Sequence, residues 1–194
     1  FTPLGMTDTS FLVAPAAAAR MTVAYSAPSQ RQGDGSVLHP HRVADLGPSK
    51  LTPIDGAESS VFTQPRPMHF GGAGLVSTAA DYQRLNALLL EGNPRVIKSQ
   101  SLVEMLRNQL PPAAVENSTL ARQGLGYGLG IGVVMDRAKA PAPVPSGTVF
   151  WGGAASTFFW VDRERGITGV LMTQVFGGEA SPYFVELLNA LYGK

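Results

Sequence analysis

Phe150-Trp151-Gly152-Gly153-Ala154-Ala155-Ser156-Thr157-Phe158-Phe159-Trp160-Val161-Asp162 is the stretch whose reading decides the fold. Bulky β-formers at both ends flank a glycine pair and small residues, which predicts a strand over 147–151, a break, and a second strand over 156–162. Downstream, Asp162-Arg163-Glu164-Arg165-Gly166 reads as a hairpin turn into a third strand over 167–174. Upstream, Tyr127, Leu129, Ile131 and Val133 alternate with Gly128, Gly130 and Gly132. That pattern predicts a strand with one bulky face and one bare face that another backbone can approach. Together these segments predict a four-strand antiparallel meander.

Helical spacing surrounds the meander. Ser77-Thr78-Ala79-Ala80-Asp81 pairs a hydroxyl cap with an acid in the first turn, predicting a helix to Glu91 with Tyr82, Leu85, Leu88 and Leu89 on its apolar face. Gly92-Asn93-Pro94 stops it. A second helix is predicted from Ser99 or Ser101 to Asn108, where Ser101-Leu102-Val103-Glu104 has the form of a capping box. Ser181-Pro182 opens a last helix with Phe184, Leu187, Leu188 and Leu191 on one stripe, closed by Gly193. The expected class is α+β, an antiparallel sheet flanked by helices. Two segments follow: a loop-rich stretch over 1–70, punctuated by proline and glycine, and a body over 71–194. So long a stretch of little regular structure inside a compact domain is functional or draped over something else.

Composition narrows the partners. Of 194 residues, 15 are Lys or Arg and 14 are Asp or Glu, so a net charge of +1 provides no footprint for nucleic acid. Cysteine is absent, which excludes a disulfide framework, a thiolate zinc site and a thiol nucleophile. No apolar run approaches the roughly 18 residues of a membrane span. The expectation is a soluble protein in the cytoplasm or periplasm. Phe1-Thr2-Pro3 carries neither an initiator Met nor a signal-peptide pattern, so the chain reads as beginning mid-sequence.

A search for catalytic patterns returns mostly negatives. The sequence contains no Gly-x-Ser-x-Gly elbow, no Ser-x-x-Lys and no Tyr-x-Asn. His39, His41 and His69 are the only imidazoles; His39-Pro40-His41 reads as a pair of exposed loop histidines rather than metal ligands, and His69 as a loop residue that could line a cleft. Gly124-Leu125-Gly126-Tyr127-Gly128 lacks the preceding strand and following helix of a dinucleotide fingerprint. No cofactor or metal is expected. Two readings stay open at Trp151-Gly152-Gly153-Ala154: a plain bulge between core strands, or a strand end where a ligand comes close to a free backbone N–H that can stabilise an oxyanion.

In four segments the chain resembles the serine β-lactamase and penicillin-binding-protein superfamily, on the branch of class C β-lactamases and family VIII carboxylesterases. Pro3-Leu4-Gly5-Met6-Thr7-Asp8-Thr9-Ser10-Phe11 is similar to the linker after the helical domain, and Gly71-Gly72-Ala73-Gly74-Leu75-Val76-Ser77-Thr78-Ala79-Ala80-Asp81-Tyr82 to the helix after the active-site loop. Gly124 to Gly130 resembles the opening strand of the C-terminal sheet. Trp151-Gly152-Gly153, followed by Phe159-Trp160-Val161-Asp162, stands where the family has Lys-Thr-Gly.

The resemblance implies the C-terminal part of a β-lactamase/transpeptidase-like fold, with 1–70 wrapping a helical domain that lies outside this sequence. It implies acyl-enzyme chemistry by a serine, a lysine and a tyrosine, all of which would precede residue 1. Within the chain, Ala154 aligns with the second oxyanion donor through its backbone N–H, and Trp151, Gly152 and Gly153 with substrate binding. A tryptophan in place of the motif's lysine offers an apolar plate and one donor, which suits a neutral acyl ester better than a lactam carboxylate, unless Arg163 or Arg122 supplies the charge. The expected partners are a small-molecule ester or lactam, and either the N-terminal half as a companion chain or a second copy through exposed strand edges. Alone, the chain is expected to be inactive; the alternative is a noncatalytic binding or assembly piece.

Overall fold

The computed structural model describes residues 1–28, 30–31, 37–38, 50–65, 67–117, 119–177 and 181–193. A short helix α1 (Pro15–Ala18) and strands β1 (Ala24–Ser26), β2 (Gln30–Arg31), β3 (Val37–Leu38) and β4 (Thr52–Asp55) occupy the first segment. Helices α2 (Ala79–Glu91), α3 (Ser99–Leu106), α4 (Pro112–Asn117) and α5 (Thr119–Arg122) follow. Strands β5 (Leu125–Tyr127), β6 (Gly132–Val134), β7 (Val149–Gly152), β8 (Phe158–Asp162), β9 (Ile167–Leu171) and β10 (Val175–Phe176) lead to the last helix, α6 (Ser181–Tyr192).

Strands β5 to β9 form one antiparallel sheet in chain order. All five residues of β8 are buried, because helices cover both faces of the sheet. On one face Phe159 and Val161 join Ile131, Val133 and Val149 against Leu89 of α2 and Leu102 and Leu106 of α3. On the other, Phe158 and Trp160 join Leu125 and Val134 against Leu188 of α6. The Phe158 ring stacks on Phe184 of α6 at 3.9 Å. Burial on both faces is why 158–161 reads as a continuous apolar run instead of an alternation. Each such side chain contributes roughly 1.5–3 kcal/mol on burial.

Two strand expectations are corrected. Residues 127–133 are not one strand but a reversal, since Gly130 adopts φ +79° and the Gly128 N–H bonds the Ile131 carbonyl at 2.7 Å. Tyr127 thereby pairs with Gly132, and the sheet has five strands instead of four. The bare glycine face does meet another backbone: Leu129 N–H donates to the Met105 carbonyl at 3.0 Å, and a Cβ on Gly128 would run into that same carbonyl. The strand expected over 167–174 stops at Leu171, and Val175–Phe176 crosses to a separate sheet of order β10-β1-β4. There β1 runs parallel to β10, with Tyr25 opposite Val175, and antiparallel to β4. Long-range pairing of this kind has no local sequence signature.

Helix caps differ in detail. Thr78 Oγ1 accepts from Asp81 N at 3.2 Å, as a hydroxyl cap should. The Ser101–Glu104 box does not form, because α3 already starts at Ser99 with Lys98 as its cap residue, and Glu104 instead pairs with Arg107 at 2.7 Å. Asn108, expected to end that helix, lies beyond it and accepts from Tyr127 N at 3.0 Å. Asp81 does more than compensate the helix dipole. Fully buried, its carboxylate accepts from Asp8 N (2.7 Å), Thr9 Oγ1 (2.9 Å) and Arg84 (2.6 Å), tying residues 8–9 to α2. Among the described residues no helix is long and apolar enough to cross a membrane.

Candidate functional site

The site is built on the β7–β8 hairpin. Gly153 N–H donates to the Thr157 carbonyl at 2.9 Å, and the Gly153 carbonyl accepts from Ser156 N at 3.0 Å. Ser156 has φ +63°, and among the described residues no other non-glycine residue has a positive φ. Ala154 and Ala155 therefore keep negative φ, which makes 153–156 a type I turn followed by a left-handed residue, the three-residue hairpin loop with a bulge. A Cβ on Gly153 would meet Thr157 Oγ1, so a side chain there would displace the Thr157 hydroxyl.

The orientation of one peptide follows from this turn. In a trans peptide the C=O of residue 153 and the N–H of residue 154 point in opposite directions. The Gly153 carbonyl turns into the loop toward Ser156, so the Ala154 N–H is aimed outward, where no acceptor among the described residues takes it. Both open readings of the sequence meet here: the loop carries a bulge, at Ser156, and it leaves a backbone donor facing solvent at the end of β7.

Trp151 lies at that same strand end, 41% exposed, with the Tyr127 ring against it at 5.2 Å in an edge-on arrangement. Arg163 opens the turn at the far end of β8, roughly 15 Å away by strand rise, and its Nε donates to the Leu90 carbonyl at 3.4 Å. Arg122 ends α5 just ahead of β5, whose opposite end bears Tyr127. Neither arginine stands at the Trp151 end of the sheet. His69 stacks on Phe11 at 4.5 Å and lines an apolar hollow of about 340 Å³ with Phe62, Met68 and Phe70. A larger hollow, about 510 Å³, lies along the 135–146 loop. Residues 151–154 line neither, so the site is an open strand end. His39 and His41 lie outside the described residues, among which no cluster of metal-ligating side chains occurs.

Three neighbours of the site escaped the sequence reading. Tyr127 carried a usable signal, a bulky residue between two glycines. Ser156 and Thr173 carried none, because their contacts span 17–19 residues: Ser156 Oγ donates to the Val175 carbonyl at 2.7 Å, and Thr173 Oγ1 lies 3.0 Å from the Ala155 carbonyl and 2.7 Å from that of Ser156.

A family model described as Beta-lactamase matches residues 1–193. The chain belongs to the beta-lactamase family. Its curated relatives include an acyltransferase, calJ of Penicillium decumbens, 30% identical over 136 residues that make up 62% of this chain and 32% of that protein. Among solved structures, EstCE1, described as a hydrolase with promiscuous acyltransferase activity, superposes with a TM-score of 0.68 at 24% identity, over 99% of this chain and 48% of its own. Simvastatin synthase (LovD) from Aspergillus terreus superposes with a TM-score of 0.67 at 18% identity, over 100% and 48%. This beta-lactamase-family chain thus spans about half the length of those structures and about a third of the curated relative. The likeness establishes the α+β beta-lactamase/transpeptidase-like fold expected from the four matching segments.

Proposed function

We propose that this chain supplies the sheet, and one of the two oxyanion-stabilising backbone donors, of a serine hydrolase or acyltransferase that works through an acyl-enzyme. The observation that carries the reading is the outward-facing, unpaired Ala154 N–H beside Trp151-Gly152-Gly153. A preorganised donor at a strand end stabilises the negative charge that develops on a carbonyl oxygen in the tetrahedral intermediate. The nucleophilic serine and its proton-transfer partners come from outside these 194 residues, which contain no Ser-x-x-Lys or Tyr-x-Asn. Alone, the chain does not turn over esters.

The substrate is a neutral acyl ester rather than a lactam bearing a carboxylate. Trp151 and Tyr127 present apolar ring surface beside the donor, and the two arginines considered as counter-charges are remote from it. The relatives named as acyltransferases lend this preference support. The companion polypeptide seats along β9, which among the described residues pairs with no strand besides β8 and has one edge carbonyl, Gly169, bonded by Asn86 of α2. A noncatalytic assembly role draws on the same edge and is the second reading.

Ala154→Pro tests the proposal. Position 154 is the second residue of a type I turn, where proline fits, so the substitution deletes the N–H and keeps the loop. In a polypeptide joining this chain to the nucleophile-bearing half, p-nitrophenyl ester hydrolysis should fall about 100- to 1,000-fold in kcat. Unchanged kcat in a folded variant removes Ala154 from the chemistry; an intact joined protein that a serine-reactive phosphonate does not label removes the acyl-enzyme, leaving the assembly role.

A further inference from the structure

We infer that Ser156 and Thr173 are positioning residues that hold the 153–154 peptide with the Ala154 N–H facing outward; as a statement about catalysis this rests on the donor reading above. Rotation of the 153–154 peptide would turn the Ala154 N–H inward and the Gly153 carbonyl outward, breaking the bond between that carbonyl and Ser156 N. What opposes that rotation here is a relay running away from the site. The Gly153 carbonyl is held by Ser156 N, which lies in one peptide plane with the Ala155 carbonyl, and Ser156 itself is left-handed at φ +63°. For a residue with a side chain that conformation costs roughly 1–2 kcal/mol, so something must hold it.

Three contacts supply the restraint. The Ser156 hydroxyl donates to the Val175 carbonyl at 2.7 Å, while Val175 N–H donates to the Ala155 carbonyl at 3.1 Å, closing a reciprocal clasp across the chain. Thr173 Oγ1 lies within hydrogen-bond reach of the carbonyls of both Ala155 and Ser156, two consecutive peptides that share its single proton, with Ser156 the nearer at 2.7 Å. The far side of the clasp is itself anchored, since Tyr25 and Ala27 of the first segment donate to the Gln174 and Phe176 carbonyls at 2.8 Å each. The 153–154, 155–156 and 156–157 peptides thus each have a held carbonyl, while the 154–155 peptide has no partner among the described residues. The Ala154 N–H, like that of Ala155, takes no part in the network.

The test reads the N–H vector directly, on this chain in solution. Residual dipolar couplings and ¹⁵N relaxation of Ala154 are compared in wild type, Ser156→Gly, Thr173→Val and Thr173→Ser. Ser156→Gly admits the left-handed backbone but loses Cβ and hydroxyl and adds backbone freedom, so the deciding comparison is Thr173→Val, which keeps the shape and loses the hydroxyl, against Thr173→Ser, which restores it. We expect the Ala154 order parameter to fall from about 0.85 toward 0.6 or below in Ser156→Gly and Thr173→Val. Thr173→Ser should behave as wild type, and the Val161 amide, deep in the sheet, should report an intact fold in all. An unmoved Ala154 vector in Thr173→Val overturns the inference. In the joined enzyme, the same two variants should lower kcat about tenfold or more with KM unchanged, as partial loss of a donor does. A loosened vector with unchanged kcat keeps the positioning role and removes the donor reading, so the two fail separately.

Discussion

Replacing Asp81 with alanine removes the acceptor that binds the N-terminal residues to α2. Three donors lose it: the Asp8 amide, the Thr9 hydroxyl and the Arg84 guanidinium. Hydrogen bonds to a charged group are worth about 1.5–3 kcal/mol each when both sides are sheltered. Thr9 retains Ser77 Oγ at 2.8 Å, and Arg84 is 49% exposed, so solvent replaces most of what that ion pair offers. Part of the remaining loss is offset because the buried carboxylate no longer has to be desolvated. The net expectation is a destabilisation of about 3 kcal/mol. With a urea m-value near 2 kcal/mol/M, the unfolding midpoint read by circular dichroism should drop by about 1.5 M. The Asp8 amide should lose hydrogen-exchange protection before the sheet does. Asp81→Asn should recover only part, because an NH₂ replaces one accepting oxygen. A midpoint shift equivalent to less than about 1 kcal/mol, with the Asp8 amide still protected, would refute the assignment of Asp81 as the anchor.

Further expectations concern packing and pH. Gly169 lies under the Trp160 indole, where a Cβ would overlap the ring, so Gly169→Ala should destabilise by about 1–3 kcal/mol and shift the buried tryptophan emission. Gly153→Ala should leave the stability of the sheet nearly intact but displace Thr157 and the loop, seen as amide shifts confined to 152–157. Burial pushes the Tyr192 phenol up to about 12, so the folded state favours the neutral ring. Its contribution is present below the ordinary tyrosine range near 10 and is lost as pH rises from there through about 12; Tyr192→Phe should remove that part of the alkaline slope in urea midpoints. The Arg20 hydrogen bonds hold the Asp8 carboxyl below its ordinary value, so Arg20→Ala should raise the Asp8 titration midpoint followed by NMR.

Much of the fold was legible because its signals are local. Burial of β8 on both faces shows in the unbroken run Phe158-Phe159-Trp160-Val161, and the Asp162–Gly166 turn in its composition, with Gly166 at φ +69°. The Gly193 stop behaves likewise, at φ +69° with its N–H bonded to the Asn189 carbonyl. The Tyr127–Val133 alternation misled because a strand and a tight glycine reversal share that spelling; the contact of Leu129 with Met105 selects the reversal. In the candidate site, the glycine pair and Trp151 were visible, while Tyr127 as its ring partner was not.

By itself the sequence determined which residues go inside, where the chain can turn, and that no Ser-x-x-Lys or Tyr-x-Asn lies within these 194 residues. Periodicity and backbone freedom carry that information without reference to distant partners. Only the tertiary structure decided that the 167–176 stretch divides between two sheets, that Asp81 anchors residues 8–9, and that the Ala154 N–H faces outward. Each depends on hydrogen bonds between residues far apart in the chain, whose pairing is set by which surfaces the packed helices and sheets bring together.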